Sequence, residues 1–152
     1  MLPRLAIPSG RNQPRRRTAM GLDMYLTGES YLVHDWENPE NNRTEGGFRI
    51  KGYELDLGYW RKHPDLHGFI VETFADGIDE CQRIELSAPG ILKVIEAIRQ
   101  ERLPKTDGFF FGESTNDQEQ RDEAIGTFQK AAEWLQNPEP GKWKSVVYQA
   151  SW

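Results

Sequence analysis

The strongest constraint is a pair of one-sided helical segments set among strand-like runs. Ser87 precedes Ile91, Val94, Ile95 and Ile98, which recur at helical spacing up to Pro104, so Ser87 caps a helix with one apolar stripe. Ala124, Ile125, Phe128, Ala131, Ala132 and Leu135 trace a second such helix that stops before Pro138. Each stripe needs a surface to cover. The intervening runs supply it. Leu22 to Val33 mixes β-formers with Gly28, which suggests a strand or a short hairpin; Tyr53, Leu55, Leu57 and Tyr59 alternate with Glu54, Asp56 and Gly58. Such alternation is the signature of a strand with one buried face.

Further runs complete the pattern. Pro64 suits the first turn of a shorter helix that begins near His63 and stops at Gly77, with Leu66, Phe69, Ile70, Val71 and Phe74 as its apolar side. Gln82 to Leu86 reads as a strand, Phe109 to Phe111 as a short aromatic strand, and Val146, Tyr148, Ala150 and Trp152 as one face of a last strand. The run ENPENNRTEGG at 37–47 has no apolar residue and reads as a mobile surface loop. The expected fold is α+β or α/β: a single mixed sheet of about five strands, with two long helices and one shorter helix packed on it.

Charge divides the chain. Arg4, Arg11, Arg15, Arg16 and Arg17 precede Met20 with no acid among them, and the remainder carries 14 bases against 24 acids. Residues 1–19 have no sustained apolar period, so they are expected to form a flexible basic arm, with 20–152 as one compact domain. Met20–Gly21 is the expected natural start, which makes the arm an extension. Nucleic acid would be reached only through this arm, or through acidic mimicry by the rest. The single cysteine, Cys81, excludes an internal disulfide and a cysteine-based zinc site, and no apolar run reaches the roughly 18 residues of a membrane span. A cytoplasmic setting is expected, with no membrane partner.

The densest reactive segment is YWRKHPDLH, 59–67, at a strand-to-helix corner. Trp60, Arg61 and Lys62 join an indole to two cations, and this corner is read as an outward-facing grip for a partner, together with His63, His67, Tyr25 and Asp23. His34 is a further polar candidate near the first strand. His63 and His67, four residues apart, are the candidate metal ligands, with Asp65 or Asp79 as carboxylate; against this, no HExxH pattern is present and Pro64 separates them. His63, His67, Asp79 and Cys81 are the candidate catalytic set, although Asp79 and Glu80 beside Cys81 disfavour a thiolate. GFFFGES at 108–114 lacks the GKS or GKT of a phosphate loop, and no dinucleotide fingerprint occurs, so no cofactor is expected.

Four blocks together carry a resemblance: MGLDMYLTGESYL at 20–32, GYWRKHPDLHGFIVETFADGIDECQ at 58–82, LPKTDGFFFGES at 103–114 and YQASW at 148–152. In these the chain resembles a family of small uncharacterised proteins of bacteriophages, prophages and some bacteria. Some relatives carry a phosphoglycerate kinase label, which does not suit a chain this short without a nucleotide loop. The resemblance implies an accessory protein that binds and modulates a bacterial host protein, in host takeover or anti-defence. The alternatives are a small enzyme or a metal- or nucleotide-binding protein using the His/Cys/Asp set, and an assembly protein of a phage particle that self-associates through the exposed edge of its C-terminal strand.

Overall fold

The structure, a computed structural model, describes residues 21–108 and 111–152. The basic arm and Met20 therefore lie outside the described residues. The fold is α+β. Four strands, β1 (Asp23–Leu32), β4 (Gly52–Arg61), β5 (Ile84–Leu86) and β6 (Lys142–Ser151), form a sheet of order β4-β1-β6-β5. Every pairing is antiparallel, so the sheet is not of mixed direction. The C-terminal strand β6 lies between β1 and β5; the edges are β4 and β5.

The segment at 37–47 is more ordered than its composition suggests. Asp35 accepts from the Asn38 backbone N–H at 2.8 Å and from Asn41 Nδ2 at 3.1 Å, and Asn42 bonds the Asp35 backbone in both directions. A single turn of 3₁₀ helix at Pro39–Asn41 follows, then a small hairpin of β2 (Thr44–Glu45) and β3 (Phe48–Arg49). Those donors hold the Asp35 carboxyl below its ordinary range.

Three helices, α1 (Pro64–Phe74), α2 (Ala88–Arg99) and α3 (Gln118–Gln136), contribute with the sheet to one apolar core. Ser87 caps α2 by accepting from Gly90 N, and Asp117 caps α3 by accepting from Gln120 N. The Lys144 ammonium of β6 closes the other end of α3, donating to the carbonyls of Trp134 and Asn137 at 3.0 and 2.7 Å. The core takes Leu22 from just before β1, Met24 and Leu26 from β1, Val146, Tyr148 and Ala150 from β6, and Ile84 and Leu86 from β5. Residues of the opposite parity face away from it.

One irregularity sets the face of β4. The register runs Leu26 to Gly58 and then Thr27 to Asp56, leaving Leu57 as an extra residue. A one-residue slip of this kind reverses which side chains point inward. Leu57 packs on the core, as its alternation suggests, but beyond the bulge Tyr59 turns outward and Trp60 turns in. The expected run of Tyr53 to Tyr59 on one face is corrected accordingly.

Phe109 and Phe110 of the expected aromatic strand lie outside the described residues, and Phe111 is not in a strand. Phe111 is nonetheless buried, edge-on to His67 and Trp152.

Gly28 of β1 lies beneath the Trp134 ring of α3, so close that a Cβ there would stand 2.9 Å from the indole. Gly28→Val is expected to destabilise the fold by about 1–3 kcal/mol, because α3 would be lifted from the sheet. Urea unfolding of both chains measures it, and an unchanged midpoint would contradict the packing.

Candidate functional site

The strand-to-helix corner turns its indole and both histidines inward and leaves its two cations exposed. Trp60 is 7% exposed and stacks on Phe128 of α3, with ring centroids 5.2 Å apart. The expected grip therefore loses its indole: the bulge in β4 directs that side chain into the core. Arg61 and Lys62 stay exposed, and Lys62 adopts a left-handed backbone with φ 53° where β4 hands over to α1.

Both histidines are buried and take different partners. Ser114 Oγ hydrogen-bonds His63 Nδ1 at 2.6 Å and accepts the Asp65 backbone N–H at 3.1 Å. That hydroxyl caps the first turn of α1 from a distant loop, a task His63 at the cap position leaves undone. The Asp65 carboxylate, itself buried, accepts from Thr106 N at 3.0 Å and from Asn116 Nδ2 at 2.7 Å. Together these bonds fasten Thr106, Ser114 and Asn116 against the start of α1. Gly68 permits the approach, since a Cβ there would meet Thr106 Oγ1 at 1.9 Å.

His67 joins a second chain of bonds. Its Nε2 lies 2.9 Å from Asp79 Oδ2, and its Nδ1 lies 2.5 Å from the Tyr148 hydroxyl. The carboxylate can only accept, which puts the neutral ring's proton on Nε2 and leaves Nδ1 to accept from Tyr148. Burial, then the charge of Asp79, pushes the Tyr148 hydroxyl well above its ordinary range. It therefore stays protonated as a donor. Tyr148 is 1% exposed, so this chain ties α1, β6 and the loop at 75–83 together without meeting solvent at its phenol.

Of the candidate metal and catalytic sets the structure brings His67 and Asp79 together, but not the full sets. His67 has both ring nitrogens bonded, to Tyr148 and Asp79, while His63 Nδ1 bonds Ser114, so the two histidines take different partners. Among the described residues no group of three or more His, Cys, Asp or Glu is arranged to hold a metal. Cys81 lines a cleft of about 450 Å³ with Tyr25, Glu29, Glu54, Arg83, Gln149 and Trp152, among other residues, but His63, His67 and Asp79 are not among its walls. His34 lies apart, stacked on Trp36.

That cleft belongs to the face of the sheet away from the core. Asp23 and Tyr25, named from the sequence, lie there: Asp23 pairs with Arg61 and Tyr25 with Tyr59 across β1 and β4. The Tyr59 hydroxyl donates to Asp23, and the Tyr25 and Tyr59 rings pack at 5.3 Å. Partial burial and then the Asp23 bond push Tyr59 up to about 12. Tyr31, Glu29, Glu54, Arg83 and Trp143 of this face escaped the sequence reading. Their signal was the second phase of the same alternation, Tyr25, Thr27, Glu29, Tyr31 on β1 and Trp143, Ser145, Val147, Gln149 on β6.

No family model, curated protein or solved structure matches this chain. Among the described residues, no helix is long and apolar enough to cross a membrane.

Burial holds the His63 imidazole down to about 4, from an ordinary 6.5, with the Asp65 charge opposing. The unfolded chain therefore takes up this proton before the folded one does. The stability owed to neutral His63 is complete above about pH 6.5 and is lost as pH falls from there towards 4, by about 3 kcal/mol. His63→Gln, which keeps a polar partner for Ser114, is expected to flatten that part of the stability-against-pH curve. Urea titrations of both chains between pH 4 and 7 test it; parallel curves would contradict a buried neutral His63.

Proposed function

We propose that this chain is a phage- or prophage-type accessory protein that acts in the bacterial cytoplasm by binding and modulating a host protein, through the uncovered face of its sheet. The four-block resemblance supports the origin. The observation that supports the mode is one-sided coverage: helices pack on one face, while the other presents Tyr25, Tyr31, Tyr59 and Trp143 at 43–73% exposure. Tyr and Trp are the side chains that most often dominate protein contacts, since they bury large rigid area and keep a polar tip. Scattered exposed apolar groups are ordinary on a surface, whereas aromatics gathered on one flat face mark an interaction site.

The enzymatic alternative draws less support, because His63, His67 and Asp79 already bond within the fold while Cys81 stands on the sheet face. For an assembly role the relevant edge is β4, ten residues long, in place of the C-terminal strand. Sedimentation over a concentration series separates the two: a constant monomer mass leaves binding to another protein.

A Tyr31→Ala/Trp143→Ala chain is expected to keep its circular dichroism spectrum and to bind a partner captured from bacterial lysate, then purified, about tenfold or more weakly. Equal binding by both chains would contradict this placement. Failure to capture any partner under several conditions would count against binding itself.

A further inference from the structure

We infer that the partner segment received by the open sheet face is cationic, an arginine- and lysine-rich stretch of protein. This rests on the binding reading above and names its chemistry. Directly opposed across β1 and β4 stand Glu29 and Glu54. Like charges in that position destabilise a sheet, so the arrangement costs the fold unless something offsets it. Arg83 contacts Glu29, but among the described residues no cation lies within ion-pair distance of Glu54.

The surroundings fit the same occupant. Two depressions, of about 450 and 570 Å³, share Glu29 and Glu54 as common walls. By strand parity the outward aromatic ring among the walls of the first is Tyr25, and of the second Tyr31. Aromatic rings beside carboxylates suit lysine and arginine, whose methylene stems pack on apolar surface and whose heads sit over π faces or pair with acids. By strand register the face carries Asp23, Glu29, Glu54, Asp56 and Glu85 against Arg61 and Arg83, with Lys51 at the rim of the second depression. That acid excess repels a phosphate backbone and steers a basic chain inward.

The test titrates the full chain with a short arginine-rich peptide, a glutamate-rich peptide and single-stranded DNA, followed by tryptophan fluorescence. The arginine peptide is expected to bind, more weakly as salt rises, and the two anionic probes are not. Glu29→Gln/Glu54→Gln should weaken the peptide about fivefold while matching or exceeding the parent melting temperature, because a repulsion is removed. The same titration runs on a chain with Arg4, Arg11, Arg15, Arg16 and Arg17 changed to Gln. Binding seen only there also supports the inference, with the chain's own arm as competitor for the face. No arginine-peptide binding to either chain, equal binding by the glutamine variant, or preference for an anionic probe would overturn it. Loss of a captured partner on Tyr31→Ala/Trp143→Ala without any arginine-peptide binding would leave the binding reading standing and remove only this inference.

Discussion

The extra residue at Leu57 governs how the two faces of this sheet divide their work. Had β4 kept one register with β1 throughout, its aromatic end would present Trp60 to solvent and Tyr59 to the helices. The slip between Leu26 and Thr27 exchanges them. The indole then has a partner in Phe128 of α3. On the other face, Tyr59 meets Tyr25 and Asp23. One inserted residue thus supplies both a core anchor and part of an exposed aromatic surface.

The corner that follows turns both histidines inward, and its chemistry is that of a fastening. Burying imidazoles and a carboxylate is costly unless each finds a partner. Here the Asp65 carboxylate and both Nδ1 atoms are bonded, to Thr106 N, Asn116, Ser114 and Tyr148. Those partners come from the loop before α3 and from the last strand, so α1 is tied to segments far along the chain. Networks of this kind hold segments in a single arrangement, because breaking one bond strands another buried group. His63, Asp65 and His67 are thereby bonded within the fold, while Tyr25, Tyr31, Tyr59 and Trp143 stay exposed on the other face of the sheet.

Much of the architecture was legible in the residues. The stripes of α2 and α3, the capping Ser87, Pro64 at the head of α1 and the final strand all follow from periodicity and caps, which are local signals. The site was less legible. A bulge leaves no local mark in an alternating run, so Trp60 read as surface and the phase of Tyr59 was inverted. Strand direction was also hidden, because the partner of β1 on one side is the C-terminal strand, more than a hundred residues away. Ser114 and Tyr148 could not be matched to His63 and His67 without knowing which segments meet. Asp23 and Tyr25 were found because they stand on the outward phase of a strand already recognised.

Hydroxyl-radical footprinting of the intact chain, read residue by residue, tests the division of faces most directly. The account predicts rapid oxidation of Trp143, Tyr31 and Tyr25, with Trp60 and Tyr148 protected until the chain unfolds. Oxidation of Trp60 as fast as that of Trp143 would contradict it, for the indole would then lie on the outside and the register slip would not direct the fold.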